Sequence, residues 1–238
     1  MRLHNSWVLI SCSTLPNKMF FKFLLEVRWA SAVFLYQQCV AGNCKVILKK
    51  IMNRVIQYDL YRYVKKDFSL FIFLKALRIP GFRYLFFLRK AAAARKGSLP
   101  WIIYRIFLRR YSYKFGYQIA YNTKIGAGFF IGHFGNIVVT DKAVIGNNCN
   151  ISPGVTIGQA NRGSLTGAPS IGDNVWIGTN AIIVGKIVVG SDVLIAPGAF
   201  VNFDVPAHSM VVGNPGKIIS KVFATSGYIE NIKEEKIL

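Results

Sequence analysis

The sequence predicts a mainly β chain, wound as a stack of three-sided coils of parallel strands behind a short helical region. Three observations carry this reading. The second half repeats with a period of six, as in IGHFGN, IGNNCN, IGDNVW, IGTNAI, VGSDVL and IAPGAF. The charge changes abruptly at mid-chain. One polar, glycine-rich stretch breaks the repeat.

Residues 1–51 are the least coherent part and are expected to be an upstream extension. Their apolar run around Trp7 to Ile10 is too short for the core of a secretory signal. Three of the four cysteines, Cys12, Cys39 and Cys44, fall here without a CxxC pair or a histidine at metal-ligand spacing, so no metal site is expected. The cysteine pattern suggests a reducing compartment and hence a cytoplasmic protein.

Residues 52–118 form the helical region. Residues 1–118 hold 22 Lys and Arg against three acids, whereas 119–238 hold eight against seven, so the two halves do different work. No zinc-ligand spacing or RNA-binding aromatic signature accompanies the charge, which excludes the recognisable nucleic-acid modules. Instead, basic residues alternate with large apolar ones in FSLFIFLKALRIPGFRYLFFLRKAAAARK, residues 68–96. Lys75, Arg78 and Arg83 interrupt it before a membrane span of about 18 uncharged residues can accumulate. Two readings stay open: peripheral contact with an anionic membrane, or a helical hairpin broken at Pro80-Gly81 and packed on the rest of the chain.

Residues 119–206 carry the repeat. A period of six fits neither an alternating strand nor a helix. It fits a triangular coil in which each side is a short strand, the Ile or Val that starts each unit points inward, and a small residue allows the corner. Cys149 falls in an inward slot, which makes it a core residue rather than a nucleophile. The third position of a unit faces outward at a corner, which is where His133 falls in IGHFGN. The loop 158–170, with GQANRGSLTGAPS, has no inward aliphatic series and must leave the coil. Residues 207–238 are left as a C-terminal tail. His208, at the exit turn, is expected on the surface.

IGHFGNIVV, GQANRG, IGDNVWIG and the closing NFDVPAHSMVVGNPGKII resemble the hexapeptide-repeat acyltransferases with a left-handed parallel β-helix, in the serine acetyltransferase branch and nearest to the O-acetyltransferases of capsule and exopolysaccharide synthesis. The resemblance covers about residues 113–221. It implies a homotrimer, with acetyl-CoA as co-substrate in the groove between neighbouring β-helices, no metal, and His133 as catalytic base. Gly158, Gly178, Thr179, Ala196 and Pro197 match small positions of that groove, and Lys217 a basic position that meets a coenzyme A phosphate. The chemistry suits such a base, because an alcohol needs its proton removed as it attacks a thioester.

The departures from the family's pattern bear on the acceptor. Gly132 stands where serine acetyltransferases carry an Asp, Gly167-Ala168 where they carry an Arg-His pair, and Gln118 where they carry the Asp that orients the base. Without that pair the carboxylate of serine loses its clamp. The surroundings left by these changes, Gln118, Asn136, Gln159, Asn161 and the single loop cation Arg162, suit a sugar hydroxyl. The expectation is therefore an acetyl-CoA-dependent O-acetyltransferase acting on a sugar or glycan of a surface-polysaccharide precursor, in the cytoplasm or at the inner face of the membrane. Serine O-acetylation for cysteine biosynthesis is the alternative, and a non-catalytic β-helix scaffold a further one.

Overall fold

A computed structural model describes residues 53–233; the extension expected over 1–51 lies outside the described residues. Four helices come first: α1 (Arg54–Val64), α2 (Leu70–Ala76), α3 (Pro80–Ala93) and α4 (Leu99–Phe115). Local chemistry sets their ends. The side chains of Asn53, Ser69 and Ser98 each accept a hydrogen bond from a first-turn amide, Pro80 opens α3, and Gly116, at φ 79°, closes α4. The segment 68–96 is settled by burial. Phe73, Leu74, Leu77, Phe82, Leu85 and Leu88 are all inside, so α2 and α3 pack on the rest of the chain. No helix of the described residues is long and apolar enough to cross a membrane.

Fifteen short strands follow among the described residues, and they make a left-handed parallel β-helix of about five coils. The first sheet stacks β1 (Tyr117–Ile119), β4 (Ile137–Val139), β7 (Thr156–Gly158), β10 (Ile182–Val184) and β13 (Phe200–Val201). The second stacks β2 (Lys124–Ile125), β5 (Val144–Ile145), β8 (Ser170–Ile171) and β11 (Val188–Val189). The third stacks β3 (Phe130–Ile131), β6 (Asn150–Ile151), β9 (Val175–Ile177), β12 (Val193–Ile195) and β14 (Ser209–Val212), with β15 (Lys217–Ser220) added antiparallel. The unit-starting residues stack in register, as in Ile131 beside Ile151 beside Ile177 beside Ile195, and all four are buried. That column is the core the repeat predicts.

Two boundaries differ from the sequence reading. The coil starts at Tyr117 rather than residue 119, because Tyr117 pairs with Ile137 and is fully buried. Beyond residue 206 the chain is not simply a tail, since Ser209 and Val211 are buried and β14 pairs parallel with β12. The inward alternation outlasts the hexapeptide consensus.

The lowest coil has strand edges that no further coil covers, and side chains of the helices, most of them buried, meet them. Tyr84 Oη donates to the Ile119 carbonyl (2.9 Å) and accepts from the Ile119 amide (3.3 Å). Tyr63 Oη does the same for Ile131, at 3.1 and 2.8 Å. Arg89 donates to the carbonyls of Ile125 and Gly126, both at 2.5 Å, and to Asp59, which accepts from the Phe129 amide at 3.0 Å. Arg62 donates to the Gly128 carbonyl (2.9 Å) and to Asn150 Oδ1 (2.6 Å). Burial pushes the Asp59 carboxyl above the ordinary carboxylate range, against the pull of Arg89 beside it. Gly81 lets α3 come this close: a Cβ there would lie 2.1 Å from the Ile131 carbonyl oxygen.

Candidate active site

His133 lies in the turn 132–136 between β3 and β4, at the corner from the third sheet to the first. Three hydrogen bonds tie this turn to the junction of α4 and β1. The Gly135 amide donates to the Phe115 carbonyl (2.9 Å), the Ile137 amide to the Gly116 carbonyl (3.0 Å), and Tyr117 Oη to the His133 carbonyl (3.1 Å). The His133 side chain is exposed, and its ring makes no hydrogen bond with any described residue. A rigid backbone thus presents a free imidazole outward.

Above it the same corner recurs in every coil and forms a column. The Gly154 amide donates to the Asn136 carbonyl (2.6 Å), the Asn180 amide to the Pro153 carbonyl (3.0 Å), and the Gly198 amide to the Thr179 carbonyl (2.8 Å). At about 4.8 Å per coil, Pro197 stands roughly 14 Å above His133. The residues along the way are small: Pro153, Gly178, Thr179, Ala196 and Pro197, with Thr179 and Pro197 exposed. Gly178 is required by the stacking, because a Cβ would lie 2.6 Å from the Pro197 nitrogen. Lys217 is exposed beyond the top of the column, at the start of β15.

The remaining predicted residues divide. Asn136 shares the His133 turn, and Gln118 is exposed on β1 beside Val138 of the next coil. Gly158, Gln159, Asn161 and Arg162 instead lie at the far edge of the first sheet, where the loop leaves β7. Reciprocal bonds between Ala160 and Gly167, both 2.9 Å, close the base of that loop, and Gln159 Nε2 donates to Asn161 Oδ1 at 2.8 Å. Within one chain the loop and His133 are therefore a whole sheet face apart.

Sequence reasoning missed Arg105 and Arg109. They line an open cleft of about 490 Å³ with Ser112, Tyr113, Gly116 and Gln118. Arg105 is held by its rings, its guanidinium 4.4 Å from the Tyr121 centroid and 5.6 Å from that of Trp101. The cleft adjoins the His133 turn, since a Cβ on Gly116 would lie 2.8 Å from the Gly135 carbonyl oxygen. The one available signal was two arginines a helical turn apart just before the first coil.

Other reactive groups are elsewhere. Cys149 is a free thiol, fully buried, and burial pushes it up to about 12, so it is no nucleophile at neutral pH. His208 stands on a different corner, with Nδ1 2.9 Å from Asp192 Oδ2. Among the described residues no group of His, Cys, Asp and Glu could hold a metal ion.

Residues 168–202 match the family model for the bacterial transferase hexapeptide (six repeats). The serine acetyltransferase of Helicobacter pylori is 34% identical over 145 residues, 61% of this chain and 84% of that protein. The chain belongs to the serine acetyltransferase family. Among solved structures, the Neisseria gonorrhoeae serine acetyltransferase in complex with serine is 33% identical, with a TM-score of 0.58 over 79% of this chain and 74% of that one. The Brucella abortus enzyme in complex with coenzyme A is 27% identical, with a TM-score of 0.60 over 80% and 74%. This member spans only 32% and 34% of the Arabidopsis thaliana serine acetyltransferases 4 and 2 that it also matches.

These matches correct the expected acceptor. The relatives compared are serine acetyltransferases, and one was solved with serine, so the surface-polysaccharide sugar read from Gly132, Gly167 and Ala168 is not supported. Losing a clamp in the sequence says which contact is gone. It does not say what the fold puts in its place.

Proposed function

We propose that this chain is an acetyl-CoA-dependent serine O-acetyltransferase, acting as a homotrimer in the cytoplasm. The observation that carries the reading is His133: a free, outward imidazole on a rigid turn, at the foot of a column of small residues, in a family whose matched members are serine acetyltransferases. Neutral imidazole takes the proton of the serine hydroxyl as its oxygen attacks the thioester carbonyl. The carbon–sulfur bond then breaks, and the coenzyme A thiolate leaves and takes up a proton. No acyl-enzyme is needed, in keeping with the buried Cys149.

The column suits the thin arm of coenzyme A, because Thr179, Ala196 and Pro197 raise little above the backbone; Lys217 would meet a phosphate at its end. In a trimer the loop carrying Gln159, Asn161 and Arg162 would face the His133 column of a neighbouring copy, which accounts for their separation within one chain. Arg105 takes over the serine carboxylate that the missing Arg-His pair would have held.

Release of free coenzyme A from acetyl-CoA with L-serine tests the reading. Wild type turns over with serine, and His133→Ala lowers kcat by about 10²–10⁴-fold. No serine-dependent release from folded protein, or equal rates in the two, overturns it. In the same assay Arg105→Gln raises the KM for serine about tenfold or more and leaves the KM for acetyl-CoA in place, as loss of a charged hydrogen bond requires. Equal effects on both KM values would remove Arg105 from the acceptor site.

A further inference from the structure

Helix α4 is apolar on two opposite faces, and only one of them is used inside the protein. Leu108, Tyr111 and Phe115 are buried, where α4 packs on α3 and β1. Turned away from them, Leu99, Ile102, Ile106 and Tyr113 stand 70, 43, 61 and 77% exposed. Their spacing of three, four and seven residues puts them in one narrow stripe, about 21 Å long at 1.5 Å per residue. Arg109 and Arg110 flank it along the helix, Lys114 lies at one end, and Arg95 and Lys96 precede the other; all five are exposed. From residue 68 to residue 140 the chain has twelve Lys and Arg and no Asp or Glu.

We propose that this face of α4 docks on an anionic phospholipid bilayer, with the stripe sunk into the headgroup boundary and the flanking cations on lipid phosphates. The pattern is that of an interfacial helix: an apolar strip about one side chain wide, cations on both borders, and an axis that lies in the membrane plane. Charge decides against the rival occupants. A second copy placed face to face would bring two sets of uncompensated cations together, since no acid of the surrounding 73 residues could answer them. Nucleic acid would answer the cations but leave Leu99, Ile102 and Ile106 without an apolar partner. A bilayer of anionic lipid answers both. The inference does not depend on the acceptor.

Co-sedimentation of the full chain with phosphatidylcholine vesicles, with and without phosphatidylglycerol, tests it. The expected result is partition onto vesicles containing phosphatidylglycerol, weak partition onto phosphatidylcholine alone, and a fall on adding salt. Ile106→Asp lowers the partition coefficient tenfold or more. Arg110→Glu lowers it at least fivefold, about the contribution of one cation near an anionic surface. Unchanged far-ultraviolet circular dichroism and coenzyme A release show that both variants are folded. Partition equal to wild type in both overturns the proposal. So does absence of binding to phosphatidylglycerol vesicles. A drop in oligomer size on Ile106→Asp would overturn it in favour of a second copy, and binding to duplex DNA but not to vesicles in favour of nucleic acid.

Discussion

The coils and the helices below them solve the same problem by opposite means. Above the lowest coil each strand edge is covered by the next strand, so the backbone is satisfied by repetition and the interior is mostly Ile, Val and small residues. The lowest coil has no such neighbour, and there three charged side chains and two tyrosines, Asp59, Arg62, Arg89, Tyr63 and Tyr84, take the place of a missing strand. Repetition needs no special residues. An end does.

The sharpest way to break this comparison is to remove one partner at the end. Arg89→Leu leaves Asp59 buried without its cation and two carbonyls without donors, which destabilises the fold by about 3–5 kcal/mol. Replacing both partners, Asp59→Leu with Arg89→Leu, costs less than Arg89→Leu alone, because no lone charge is then left inside. Inside the coils a single truncation such as Ile177→Ala costs about 2–5 kcal/mol through the cavity it opens, with no such rescue by a second change. Denaturant unfolding of wild type, Asp59→Leu and these three variants reads all of this. A double variant as unstable as the sum of its single changes would mean that the helices cap the coil by packing alone.

The same contrast explains what could be read in advance. The coils were legible because each inward slot is sampled in coil after coil, so a slip in register or the loop at 158–170 stands out against the pattern. His133 could be placed on an outward corner for the same reason. What the helices bind was not, because a buried arginine and an exposed one look alike in sequence: Arg62 and Arg89 belong to the basic, apolar region 52–118, yet they bind carbonyls of the first coil. Helix α4, apolar on two faces, also blurs the helical period. In the site, the cleft of Arg105 and Arg109 joins residues on α4 and β1 that only the fold brings beside the His133 turn. A list of lost family residues could not have disclosed it.

The upper end of the molecule sharpens the comparison at a smaller scale. There Asp192, between β11 and β12, accepts from the amides of Ala224 and Thr225, from Thr225 Oγ1 and from His208, and so fastens the chain after β15 to the coils. Partial burial works to raise its carboxyl, but the bonds from His208 and Thr225 outweigh it and hold the group below the ordinary value. A depressed native pKa means that the stabilisation is fully present above the unfolded value of about 3.9 and is lost as pH falls through the native one. Acidification should therefore free this segment before the coils open. Trp176 reports it, because its ring lies 4.8 Å from that of Tyr228 in the fastened segment. Asp192→Asn removes the acid-dependent change in Trp176 emission and lowers Tm by about 2–4 °C, the shift for roughly 1 kcal/mol in a chain of this size. If Asp192→Asn keeps the same acid transition as wild type, the fastening lies in the β14–β15 pairing and not in the carboxylate.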